Sequence, residues 1–174
     1  MLKTYSLLLL LCVSNNIFCQ TDFFRDTSIT VSENGTIFKN AWAGGINAAQ
    51  FHEIDLNLDG TKDLIVFDRS GNKLIPYIKK NGEYIFAPDY RKLFPNLHDW
   101  MILADYNCDG KNDIYTYAGG GMAIYENTST ANLSFTLVDS LVYSNYGGPI
   151  PINIFISAVD IPAIADIDYD GDLD

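Results

Sequence analysis

Three nine-residue runs carry the side chains in this sequence that could do chemistry: Asp55-Leu56-Asn57-Leu58-Asp59-Gly60-Thr61-Lys62-Asp63, Asp105-Tyr106-Asn107-Cys108-Asp109-Gly110-Lys111-Asn112-Asp113 and Asp166-Ile167-Asp168-Tyr169-Asp170-Gly171-Asp172-Leu173-Asp174. In each, Asp or Asn stands at positions one, three, five and nine, and glycine at six. Hard oxygen donors at alternate positions suit Ca²⁺, which takes six to eight oxygens at about 2.3–2.6 Å. The expected side-chain ligands are Asp55, Asn57 and Asp59, then Asp105, Asn107 and Asp109, then Asp166, Asp168 and Asp170. Glycine at six permits the sharp reversal. The backbone carbonyl of residue seven (Thr61, Lys111, Asp172) then faces the ion, without its side chain. The carboxylate at nine (Asp63, Asp113, Asp174) closes the site with both oxygens. The expectation is one Ca²⁺ per loop, up to three; Mg²⁺, which demands a tighter octahedron, fits less well.

One such run could be a plain acidic turn, but three in one register argue for metal. An EF-hand shares the opening yet needs Glu at position twelve and helices on both sides. Position twelve is Val66 in the first run and Thr116 in the second, and both flanks are strand-like. That excludes the EF-hand and dockerin-type helical loops. Charge agrees with a divalent cation. The chain of 174 residues has a formal charge of −11, which disfavours nucleic acid and anionic membranes as partners. Ten of its 22 acidic residues stand at ligand positions, and three Ca²⁺ would add six positive charges and leave −5. With 48% hydrophobic and 13% aromatic residues, the chain can bury a core and is not disordered.

The elements that must position these loops read as β-strands. Residues 48–54 lead into the first loop, and the apolar run 64–67 leaves it. Asp68-Arg69-Ser70-Gly71-Asn72 forms a turn, 73–79 a strand, Asn81-Gly82 a second turn and 84–87 another strand. The order repeats with 100–104, the second loop, 114–117, a turn at Gly119-Gly120-Gly121, 122–126 and 133–138. Residues 161–165 are expected to form the strand entering the third loop, with Pro162 tolerable on an inner edge. A short strand is also expected at 28–32. Residues 89–100 are the one helix candidate, broken by Pro95. Loop starts lie 50 and 61 residues apart, and a repeat of that length with about four strands per unit is the signature of β-propeller blades. The fold class is therefore all-β, a partial β-propeller of about two and a half blades. Residues 20–40 form a lead-in, 41–98 the first blade, 99–158 the second and 159–174 the start of a third. Propellers close with roughly four to eight blades, so the chain is expected to be the N-terminal fragment of a longer protein.

The D-x-[DN]-x-D-G-x-x-D loop between two strands, at this spacing, resembles the FG-GAP/VCBS repeats of integrin α-subunit propellers and many secreted bacterial proteins. Asp105-Tyr106-Asn107-Cys108-Asp109-Gly110 and Asp160-Ile161-Pro162-Ala163-Ile164 are similar to the N-terminal propellers of large bacteroidete surface proteins. The resemblance covers about residues 41–174. It implies a seven- or eight-bladed propeller with calcium between the first two strands of a blade. It does not imply one ligand, because such propellers serve adhesion, scaffolding and enzyme accessory roles.

Residues 1–19 have the proportions of a signal peptide: Lys3, the apolar run 7–13, a polar stretch, then Cys19-Gln20. No other stretch is long and apolar enough for a transmembrane helix. Of three cysteines, Cys12 and Cys19 fall in the signal, so Cys108 is left alone and no disulfide can hold the exported fold. Catalytic signatures are missing: His52 and His98 are isolated, Gly119-Gly120-Gly121 opens no helix, and Gly-x-Ser-x-Gly and His-Glu-x-x-His do not occur. Trp42, Trp100 and the tyrosines read as blade packing. The functional expectation is a secreted or cell-surface, non-enzymatic module for interaction or adhesion. Calcium would be structural, and the partner an extracellular protein or glycan. The alternative is the propeller part of a secreted enzyme whose catalytic residues lie beyond residue 174.

Overall fold

An apolar run has no solvent-tolerant face, so 64–67 must be buried on both sides. In the computed structural model, which describes residues 26–144, 148–171 and 173, it lies at the centre of β4 (Asp63–Asp68). Residues 1–19 and ligand candidates Asp172 and Asp174 lie outside the described residues. The chain divides into two units, Met1–Thr30 and Val31–Asp174. Of the first, residues 26–30 are described, with the Asp26 carboxylate accepting from the Ser28 backbone N–H and hydroxyl. The second unit is all-β.

Its first sheet is a four-stranded antiparallel meander in sequence order: β3 (Ala49–Ile54), β4, β5 (Lys73–Lys80) and β6 (Glu83–Phe86). A small hairpin, β1 (Ser32–Glu33) with β2 (Thr36–Ile37), precedes it. The second sheet repeats the meander with β7 (Met101–Ala104), β8 (Asp113–Ala118), β9 (Gly121–Asn127) and β10 (Phe135–Asp139). Short strands β11 (Tyr143–Ser144) and β12 (Ile152–Asn153) pair afterwards. The eight strands of the two meanders thus match the sequence expectation to within one or two residues, and each of the first two acidic loops joins the first two strands of its sheet.

Strand alternation sorts side chains into three apolar layers. Ile65 and Phe67 of β4 point with Leu74 of β5 into a cluster shared with Met101 and Ile114 of the second sheet, so the two meanders pack face to face. Val66, Ile75 and Tyr77 point the other way, against Ala43. Trp100, Tyr115 and Ile124 form the far layer, covered by Val142, Ile156 and Ile164. Hydrogen bonds also cross between sheets. The Gln50 side-chain carbonyl accepts from Met101 N–H at 3.0 Å, and the Asn112 amide donates to the Glu53 carbonyl at 3.0 Å. The Arg69 guanidinium reaches three later carbonyls, those of Asp99 (2.7 Å), Val159 (3.0 Å) and Ala158 (3.2 Å).

Pro76 sits inside β5, opposite Ile65 on β4. Its carbonyl accepts from Ala87 N–H, just past the last residue of β6. Because N and O of one strand residue face the same neighbour, the missing N–H also points to this spot. Only the terminal bond of the β5–β6 ladder is lost, and the proline is tolerated. The outer edge of β6 is closed by Asn40, whose amide donates to Tyr84 carbonyl and accepts from Phe86 N–H.

Two sequence expectations are corrected. Residues 161–165 form no strand. They have no antiparallel partner among the described residues, and Pro162 brings no N–H to a ladder. The strand placed at 28–32 shrinks to β1, which begins at Ser32. The candidate 89–100, expected to be broken by Pro95, forms no α-helix: a 3₁₀ turn, Pro88–Leu93, ends before Pro95.

Phe67 is 0% exposed in the layer between the sheets. Phe67→Ala is expected to cost about 3–5 kcal/mol in urea unfolding, the range for an aromatic deleted from a packed core; a cost below about 1 kcal/mol would mean the sheets do not share this layer. Asp68 ends β4 and accepts from Ala48, Asn47 and Ser70 N–H groups. The bond from Ala48 foremost, then those from Asn47 and Ser70, holds its pKa below the ordinary 3.8. A lowered acid stabilises the fold above its unfolded pKa and ceases to as pH falls through the folded value. Asp68→Asn should therefore flatten the loss of stability below about pH 4; an unchanged acid limb in pH-dependent melting would contradict this.

Candidate metal centre

The three loops share one backbone. The residue at position four takes a left-handed conformation each time, at φ 59° in Leu58, 59° in Cys108 and 63° in Tyr169. Glycine at six follows at φ 84°, 84° and 99° for Gly60, Gly110 and Gly171. These turns aim the amides of residues five and six back at the loop's first side chains. The N–H of residue five donates to the position-one carboxylate at 3.1 Å in all three loops: Asp59 to Asp55, Asp109 to Asp105 and Asp170 to Asp166. The same N–H meets the position-three oxygen, at 3.1 Å for Asn57 and Asn107 and 3.3 Å for Asp168. Glycine N–H then donates to the other oxygen of residue one, at 2.7, 2.8 and 3.1 Å.

Two oxygens that accept one N–H must lie side by side, so positions one and three converge. In the third loop, carboxylate oxygens of Asp166, Asp168 and Asp170 all lie within 4.8 Å of one another. The first two loops build the same turn with Asn at position three. A carboxylate oxygen that accepts one N–H keeps a lone-pair site, so this donor set fits a hard cation on its outward side. Asp59 also accepts from Thr61 N–H, and Asp109 from Lys111 N–H, at 2.8 and 2.9 Å. Thr61 and Lys111, at position seven, are exposed.

Position nine takes a different place from the rest. Asp63 and Asp113 are 0% exposed. Asp63 accepts from Leu56 N–H (2.9 Å) with one oxygen and Lys79 N–H of β5 (2.7 Å) with the other. Asp113 repeats this with Tyr106 N–H (2.7 Å) and Asn127 N–H of β9 (2.6 Å). Each ninth carboxylate thus ties its loop to the third strand of its own sheet. The sequence pattern marks this residue as polar, but its backbone partners lie seven to sixteen residues away and carry no sequence signal.

The local electrostatics follow from these contacts. Burial pushes the Asp63 carboxyl upward despite its N–H bonds from Lys79 and Leu56. Hydrogen bonds from the Asn57 amide and Thr61 N–H hold Asp59 below its usual range. Asp109 is lowered chiefly by the Lys111 side chain, whose ammonium stands 2.9 Å from its outer oxygen and is raised in return. This pair was missed in the sequence reading, which assigned Lys111 through its carbonyl alone. Burial, with the nearby Asp113 charge, pushes Tyr115 up to about 12. His52 is lowered by burial, and its Nε2 is buried without a hydrogen-bond partner among the described residues. Cys108, at position four, is exposed, with its sulfur 3.8 Å from the Gly171 carbonyl of the third loop.

Comparisons of this chain with protein-family models, with curated proteins and with solved structures returned no match.

If position nine is a tie to the third strand, its loss should hurt the fold without any metal. In calcium-free buffer, Asp113→Ala would strand two backbone donors and is expected to cost about 2–4 kcal/mol. Asp109→Ala, on the surface, should cost far less. Equal urea midpoints for the two variants would show that Asp113 does not act as this tie.

Proposed function

We propose that this chain is an exported, calcium-stapled β-propeller segment, and that it serves as an extracellular interaction or adhesion module in which the metal is structural. The observation that supports the reading is the common loop: in three places the same glycine-dependent turn brings oxygens of residues one and three onto one N–H, and in the third the carboxylates of Asp166, Asp168 and Asp170 all lie within 4.8 Å of one another. Its setting supports the same conclusion, since two successive four-stranded meanders hold the loop between their first and second strands and pack face to face. That arrangement suits the FG-GAP/VCBS resemblance and a radial repeat of blades. The partner would be a protein or glycan outside the cell. Among the described residues, no helix is long and apolar enough to cross a membrane.

Calcium at such a loop would be held by Asp55, Asn57 and Asp59, by Asp105, Asn107 and Asp109, and by Asp166, Asp168 and Asp170. The carbonyl of residue seven and spare lone pairs of the ninth carboxylate would complete the donor set. Bound there, the cation supplies charge neutralisation and rigidity. The first two loops are exposed turns between paired strands, and no packed helix pair stands beside them among the described residues, so a sensor's conformational switch has no element to act on.

A ligand that binds only the folded state raises stability by about 2.7 kcal/mol per site at a hundredfold excess over its dissociation constant. Thermal unfolding is therefore expected to shift upward with calcium and fall on chelation. Asp109→Ala should lower the calcium stoichiometry by one while leaving the other loops loaded. A melting midpoint indifferent to calcium and chelator would sink the proposal, and an undiminished stoichiometry in the variant would refute the ligand assignment.

A further inference from the structure

The connection between the two sheets roofs a cavity of about 550 Å³, a volume typical of small-molecule sites. Its charged lining is basic, Arg91 and Lys92, with the His98 imidazole and the amides of Asn72 and Asn96 beside them and no acidic residue. In a chain of charge −11 this is a local inversion of sign. The Arg91 guanidinium makes no ion pair or side-chain hydrogen bond among the described residues. Lys92 stands 3.5 Å from Asp89, but both side chains are mostly exposed, so the pair is solvated and weak.

The site is also held in shape. Asn72, in a left-handed conformation at φ 48°, accepts from Asp99 N–H at 2.7 Å and sets its amide nitrogen 3.3 Å from His98 Nδ1. The floor is formed by buried Phe67 and Phe94, and Arg91, Lys92, Asn96 and His98 stand exposed around it. A free guanidinium offers a planar fork that matches a carboxylate. Amide and imidazole groups donate to and accept from hydroxyls, and proline faces at Pro88 and Pro95 offer apolar contact to a ring.

The geometry points to a binding site for a carboxylate-bearing sugar unit of the uronate class, with Arg91 on the carboxylate and Asn72, Asn96 and His98 on hydroxyls. This goes beyond the calcium reading and does not rest on it, because the cavity lies past the far end of β4 from the acidic loop. The test is a titration of the isotope-labelled full chain with sodium glucuronate, followed by amide and arginine side-chain resonances. Saturable shifts at Asn72, Arg91, Asn96 and His98 are expected, with none from glucose. Arg91→Gln should weaken binding by about tenfold or more, as expected for losing a charge-assisted bidentate contact. Lys80→Gln, which removes the same charge outside the cavity, should leave binding unchanged. Absence of saturable shifts, equal response to glucose, equal loss in Lys80→Gln, or benzoate binding as tightly as glucuronate would each overturn the assignment.

Discussion

A carboxylate closed off from solvent is expensive, and this fold places one at the start of the second strand in each of its two sheets. Asp63 and Asp113 are tolerated there because each oxygen receives a backbone N–H. The bonds do more than compensate for burial. One comes from the loop's own second residue and the other from the third strand, so a single side chain sets loop shape and strand pairing together. The residue cannot be exchanged for an apolar one without stranding both donors. In the first two loops the exposed half can thus be strongly acidic because the turn is anchored from beneath by backbone N–H bonds.

From that anchor the rest of the architecture follows outward. With the hairpin pinned at Asp63, β4 is held in register, and Ile65 and Phe67 face the second sheet while Val66 faces away. The same logic at Asp113 directs Ile114 toward the shared layer and Tyr115 away from it. A one-residue slip in either strand would exchange these faces. Polar ties then cross from one meander to the next at both ends of the strands. Asn112 bonds to Glu53 beside the acidic loops, and Arg69 gathers carbonyls of residues 99, 158 and 159 at the other. Apolar layers supply the bulk of the cohesion, and these directional bonds fix how successive units are set against each other.

Much of this was legible in the sequence because it is local. The run 64–67 is apolar at every position, Gly-containing turns separate the strands, and the nine-residue loops announce themselves three times. What escaped was decided at a distance or by backbone shape. Leu58, Cys108 and Tyr169 take left-handed conformations that their residue types do not favour. The loop imposes them, since amides five and six must turn inward to meet residue one. Lys79 and Asn127 contribute only an N–H to the ninth carboxylate, a role any residue but proline could fill. The amide of Asn40 substitutes for a neighbouring strand at β6, which no pattern foretells. Residues 161–165 looked like 100–104 in composition, yet β-structure is a property of pairs, and without a partner the same kind of sequence stays irregular.

The two ends of the sheets carry opposite electrostatic character. One end presents the Asp and Asn side chains of the acidic loops; the other presents Arg69 on the short connection from β4 to β5, and Arg91 and His98 on the longer connection between the sheets. Cations suit a place where strands end in unpaired carbonyls, and Arg69 is used in this way. The acidic end, by contrast, has its amides turned inward on its own carboxylates and offers outward-facing oxygen. A single meander topology therefore generates two kinds of surface. The acidic end is a short, repeated and internally bonded turn suited to holding a cation rigidly. The basic end is made of connections that differ between units and can vary without disturbing the ladders. Recognition is best placed on such variable connections, because a loop that already fixes strand register has little freedom to be reshaped for a ligand.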